Sequence, residues 1–145
     1  MNDREQCIFC DIVKGKAKAH LVYEDDLTMA FLDINPWSKG HTLVIPKRHV
    51  PWWHQLDDAE NAALFKTAKI VSEKIMKAYA PDFVFLYARG RRIPHTHLFL
   101  IPTFKGDILD RIFGALELIQ ESPAALASIK EPQSMDEAAA LLRSL

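Results

Sequence analysis

Cysteine is scarce in this chain, with two among 145 residues, too few for the disulfide framework of a small secreted module. Long apolar runs are missing as well. Nothing approaches the roughly 18–20 residues of a membrane span, and Met1-Asn2-Asp3-Arg4-Glu5-Gln6 does not read as a signal peptide. Charge of one sign is also absent. A net charge of −1 removes the basic excess that would argue for wrapping nucleic acid. There is no internal repeat, low-complexity tract or second domain. The expectation is a single cytoplasmic domain over 1–145 with neither membrane nor nucleic acid as partner.

What the chain does have is paired, chemistry-bearing residues. In Ile93-Pro94-His95-Thr96-His97-Leu98-Phe99-Leu100-Ile101-Pro102, two histidines stand two apart between prolines. Read as a strand, this run puts His95 and His97 on one face, with Thr96, Leu98 and Leu100 on the other. Such a pair fits metal ligation or proton and phosphoryl chemistry, with plain packing as the competing reading. Cys7 and Cys10 form C-x-x-C. In a reducing compartment that spacing points to metal binding or redox work, or to two buried thiols without metal. A thioredoxin-like motif would want a preceding strand, and the mostly polar stretch 1–6 argues against that reading.

The remaining pattern predicts an α+β fold. Strands are expected at 21–24, 28–34, 41–46, 83–88 and 93–102. Asp57 or Asp58 caps a helix that runs to Tyr79 or Ala80, where Pro81 ends it. Its apolar stripe reads Ala62, Phe65, Ala68, Val71, Ile75 and Tyr79, widened by Ala63, Ile70 and Met76. Arg89-Gly90-Arg91-Arg92 is expected as a tight basic turn closing a hairpin. Helical spacing returns at Ile108, Ile112, Ala115 and Ile119, and Ser122-Pro123 breaks it. Ser134-Met135-Asp136-Glu137 resembles a capping box opening a terminal helix. The whole is an antiparallel sheet of about five strands with one long helix and C-terminal helical segments. His20 and His54 read as surface residues.

Taken together, His41-Thr42-Leu43-Val44-Ile45-Pro46-Lys47-Arg48-His49, the long helix, and Pro94-His95-Thr96-His97-Leu98-Phe99 resemble the histidine-triad nucleotide-binding family. The Cys-Ile-Phe-Cys start, Glu24-Asp25-Asp26, Ala30-Phe31-Leu32-Asp33-Ile34-Asn35-Pro36 and Phe104-Lys105-Gly106-Asp107 fall in the same order. The resemblance covers residues 6–107 and leaves 108–145 as a C-terminal helical extension. It implies a homodimer that binds purine nucleotides. The implied reaction cleaves at the α-phosphate of a nucleoside phosphoramidate or dinucleoside polyphosphate through a covalent nucleotidyl-histidine.

By position, the resemblance makes His97 the nucleophile, with His95 and His41 beside it. It places Ile8, Phe9, Ile12, Phe31 and Leu43 around the base and Asp33 on the ribose hydroxyls. It assigns Cys7, Cys10, His49 and His95 to a structural zinc ion. Two departures stand out. The third triad position carries Phe99, which cannot hydrogen-bond. The amide-rich segment before the signature is replaced by a shorter basic one, where Arg89 or Arg91 grips phosphate or simply meets solvent. An impaired, zinc-stabilised nucleotide-binding module is the alternative reading, and a protein-interaction scaffold a third.

Overall fold

The computed structural model describes residues 7–121 and 124–145. It separates into a unit that ends at Lys105 and a second from Gly106 to Leu145. The expected break at Ser122-Pro123 lies outside the described residues.

The first unit runs α1 (Ile8–Val13), β1 (Leu21–Glu24), β2 (Thr28–Leu32), β3 (Thr42–Pro46), α2 (Asp58–Tyr79), β4 (Phe83–Tyr87) and β5 (Leu98–Thr103). The five strands form one sheet in the order β1-β2-β3-β5-β4, every neighbouring pair antiparallel. Side chains alternate across a sheet, so register decides which residues meet. Ala30 pairs with Val44, and Val44 with Leu98. These three pack with Leu100 under Leu64, Ala68, Val71 and Ile75 of α2. The opposite face carries Met29, Phe31, Leu43 and Ile45 and is covered by Cys7, Phe9 and Cys10. In β2, β3 and β5 the even-numbered positions thus face the long helix and the odd-numbered ones face α1.

Helix α2 begins in a reciprocal capping box. Asp57 accepts from the Glu60 N–H, and the Glu60 side chain accepts from the Asp57 N–H. It ends at Ala80, in the left-handed region at φ 47°, where a Cβ costs energy. The buried stripe is Leu64, Thr67, Ala68, Val71 and Ile75, which corrects the expected one at four positions, Met76 among them at 39% exposed. Ala62 is exposed, and Phe65 and Tyr79 leave 41% and 39% of their surface open. Thr67 displaces Phe65 because the helix lies close enough for its hydroxyl to meet Thr28 at 2.7 Å. Asp25 accepts from both of those hydroxyls. Tyr79 instead lies on Gly40, where a Cβ would stand 2.4 Å from its ring.

Two further expectations are corrected. The last strand starts at Leu98, not Ile93, because the Thr96 N–H is taken by Val50 O at 2.7 Å rather than by a neighbouring strand. The link from β4 to β5 is therefore the ten residues between Tyr87 and Leu98, not a tight basic turn, although the two strands do pair.

The second unit holds α3 (Ile108–Glu121) and α4 (Pro132–Arg143). On α3, Ile108, Ile112, Leu116 and Ile119 are exposed. Helix α4 starts at Pro132, a residue suited to a first turn, and not at the expected Ser134 box; its N-cap, Glu131, makes no side-chain cap.

Candidate functional site

Parity across the sheet builds the site. Phe99 lies between Leu43 and Tyr87 in register, so the face carrying Phe31 and Leu43 also carries Phe99. The alternation already holds in the residues just before β5. His95 and His97 both meet the Phe9 ring edge-on, with centroids 5.8 and 5.2 Å away. Phe99 sits 4.9 Å from His97 and 5.6 Å from His41. It is stacked on Tyr87 at 4.4 Å with the rings 6° from parallel. The side chain at this place is thus engaged in apolar stacking.

The backbone sets the tautomer of His97. Its Nδ1–H donates to His95 O at 2.6 Å, which leaves the lone pair on Nε2. Burial, opposed by that hydrogen bond and by Asp33, holds its pKa below the ordinary histidine value. The ring is therefore neutral at neutral pH. His41 has the reverse arrangement. Its Nδ1 accepts the Trp37 N–H at 3.2 Å, so the proton of the neutral ring sits on Nε2. That nitrogen is buried without a hydrogen-bond partner, 3.6 Å from Asp33 Oδ2. Burial lowers the His41 pKa although Asp33 pulls it up. A buried donor left unpaired costs stability, and here it faces the carboxylate side of the site. Asp33 is itself oriented by the Asn35 N–H at 2.7 Å.

Cys7, Cys10, His49 and His95 bring one donor atom each within 4.8 Å of all the others. Helix α1 sets the two thiols one turn apart, His49 follows β3 and His95 precedes β5. Cys10 Sγ stands 3.2 Å from His49 Nδ1 and 3.6 Å from His95 Nδ1, and Cys7 Sγ is 3.5 Å from the latter. Sulfur and nitrogen ligands on a zinc tetrahedron lie about 3.5 Å apart. The His95 Nε2–H donates to Pro46 O at 2.8 Å, which turns the bare Nδ1 toward the thiols as a metal ligand requires. Burial first, and then Cys7, pushes the Cys10 thiol up to about 11. Burial likewise brings His95 down to about 4. The Cys10 thiol, reluctant to ionise by itself, stands beside a second thiol and a bare imidazole nitrogen, a setting that suits a divalent cation able to neutralise thiolate charge. The donor set fits tetrahedral zinc.

The other expected site residues divide by burial. Phe31 and Leu43 lie beneath Phe9 and are 3% and 6% exposed, so only their edges are open to a ligand. Ile8 is half exposed and Ile12 partly so. Arg89 lines a cavity with His97, whereas Arg91 is exposed and outside that lining. The same cavity is walled by Trp52, Trp53 and His54, which residue-type reasoning did not assign to the site. Two consecutive tryptophans in a connection were the available signal; nothing along the chain tied them to His97. His20 and His54 are exposed, as expected.

A five-stranded antiparallel sheet, with a long helix on one face and a histidine cluster on the other, defines a class of α+β protein. The HIT domain family matches residues 14–106, and the chain belongs to that family. It is 42% identical over 101 residues to an adenosine 5′-monophosphoramidase of Schizosaccharomyces pombe, spanning 66% of this chain and 73% of the relative. An adenylylsulfatase of Arabidopsis thaliana is 36% identical over 111 residues, 73% of this chain and 56% of the relative. A HIT family crystal structure from Bacillus subtilis superposes with TM-score 0.79 at 29% identity, covering 96% of each chain. A zinc-bound histidine triad protein from Mycobacterium smegmatis superposes with TM-score 0.66 at 30% identity, over 72% of this chain and 80% of that one. Among the described residues, no helix is long and apolar enough to cross a membrane.

Proposed function

We propose that the protein is a nucleotidyl hydrolase or transferase that cleaves at the α-phosphate of a nucleoside phosphoramidate or dinucleoside polyphosphate. The observation that carries this reading is the His97 ring, fixed by its 2.6 Å bond to His95 O and bordering a cavity. Its Nε2 attacks phosphorus, forming an N–P bond as the bond to the leaving group breaks; the leaving group takes a proton from water. A second water then cleaves the N–P bond, frees the ring and leaves the nucleoside monophosphate. His41 supplies its unpaired Nε2–H to a phosphate oxygen, a donor already desolvated and in place before charge develops there. Asp33, acceptor-only when ionised, takes the ribose hydroxyls. Phe9, Ile8 and Ile12 flank a purine base with the edges of Phe31 and Leu43, and Arg89 meets the phosphates.

Zinc, when bound by Cys7, Cys10, His49 and His95, supplies a structural tie between the start of the chain and the active strand. His95 then serves twice, as a ligand and as the carbonyl that orients His97. A homodimer is the state the family resemblance implies. The sheet order supports an open border for a second copy at β4, an edge strand with Phe83 and Leu86 exposed.

Phe99 favours a second reading, a nucleotide-binding module with little turnover, since a stacked phenyl ring offers nothing to phosphate. One experiment separates the two. Wild type incubated with adenosine 5′-phosphoramidate should release AMP. His97→Ala should lose at least about 1000-fold in rate while still binding AMP by calorimetry. Phe99→His, which restores a donor, should raise turnover roughly tenfold or more. Wild type as inert as His97→Ala, with AMP binding intact in both, would establish the binding module instead.

A further inference from the structure

The cavity beside His97 has a volume of about 170 Å³ and walls from two loops far apart in sequence. Trp52, Trp53 and His54 follow β3, while Arg89 and Gly90 follow β4. None of its lining comes from α1, β2 or β3, the elements assigned above to the nucleoside. Trp52 and Trp53 are 41% and 46% exposed, a large apolar surface for two adjacent indoles to leave open. Both are nonetheless held in place. Gly90, at φ +59°, lies so near Trp52 that a Cβ there would stand 3.2 Å from the indole. Trp53 packs edge-on against His54 and Phe65, with centroids 6.1 and 6.3 Å away.

We propose that this cavity is the leaving-group subsite of the reaction at His97 and accepts an aromatic group that carries a negative charge. The inference rests on the nucleotidyl-transfer reading and adds the identity of the departing half. Indole faces attract a flat ring, and the Arg89 guanidinium, which borders this cavity together with His97, pairs with a carboxylate on the departing group as well as with the phosphates. Size narrows the choice further. A cavity near 150 Å³ holds one benzene ring, so this one, at about 170 Å³, seats a single substituted ring. Phosphoramidates of arylmethyl amines meet that description. In the step itself the P–N bond breaks as Nε2–P forms. The amine leaves with the electron pair and gains its proton from water.

The test uses adenosine 5′-phosphoramidates of methylamine, benzylamine and 4-(aminomethyl)benzoate, with wild type, Trp52→Ala, Trp53→Ala and Arg89→Gln. Comparing kcat/KM ratios between proteins cancels the intrinsic reactivity of each amine. Wild type should favour benzylamine over methylamine about tenfold more than either tryptophan variant does. The carboxylate should add a further factor of about five, lost in Arg89→Gln. The same ligands are titrated by calorimetry against His97→Ala, alone and combined with Trp52→Ala. Turnover with ratios equal across all four proteins overturns the subsite and leaves the nucleotidyl-transfer reading standing. No turnover, but tighter binding of the aryl ligands that Trp52→Ala removes, supports the subsite and overturns catalysis. No turnover and no aryl gain in affinity overturns both.

Discussion

At the scale of single residues, His41 shows how burial prepares a group for use. Its ring is 1% exposed, and its pKa lies below the ordinary value because desolvation outweighs the pull of Asp33. In the unfolded chain it titrates near about 6.5. Between that value and the lower folded one, the unfolded state holds a proton that the native state lacks. The associated stability is fully present above about 6.5 and is lost progressively as pH falls toward the folded pKa. His41→Asn should therefore flatten the fall in unfolding free energy below pH 6.5, measured by urea denaturation at successive pH values. An unchanged slope would show that the ring is protonated in the native state. The histidines themselves were legible as residue types, and period-2 alternation put His95 and His97 on one side. Phe99 was legible only as an absence of hydrogen-bonding capacity. That it stacks on Tyr87 depends on strand register, which no local spacing states.

At the scale of elements, α2 was the plainest to read, since Asp57 or Asp58 and Pro81 mark its ends by local chemistry. Its inward face was less so. Phe65 was expected inside on hydrophobicity, yet Thr67 takes that side because Asp25 and Thr28 meet its hydroxyl, a long-range match. The helix also ends at a cost: Ala80 sits at φ 47°, where only glycine is unstrained. Ala80→Gly should stabilise the protein by about 0.5–1 kcal/mol, read from chemical denaturation. A destabilised variant would mean that the Ala80 methyl packs in a way its exposure does not suggest. The segment before β5 shows the opposite difficulty. Its β-branched residues and prolines looked like strand, but the Thr96 N–H goes to Val50 O, so the paired region starts three residues after His95.

At the scale of the whole molecule, the four side chains whose donor atoms cluster, Cys7, Cys10, His49 and His95, connect the start of the described chain with the segments after β3 and before β5. Purified protein should carry about one zinc per chain. Its removal by a chelator should lower the thermal midpoint by about 5 °C or more, with readdition restoring it. Cys7→Ser/Cys10→Ser should bind no zinc and show no response to the chelator. An equal chelator effect on wild type and double variant would place any bound metal elsewhere.

Composition and periodicity determined the fold class, the long helix and the residue types fit for phosphoryl and zinc chemistry. These follow from local propensity and from which side chains can donate, accept or ligate. Tertiary structure alone decided that Trp52, Trp53 and Arg89 border the same cavity as His97, that His41 keeps an unpaired Nε2–H, and that the His95 carbonyl orients the His97 ring. Each of these depends on which strands pair and in what register. Register is chosen by the packing of both sheet faces at once, and that choice is not written in any one stretch of the chain.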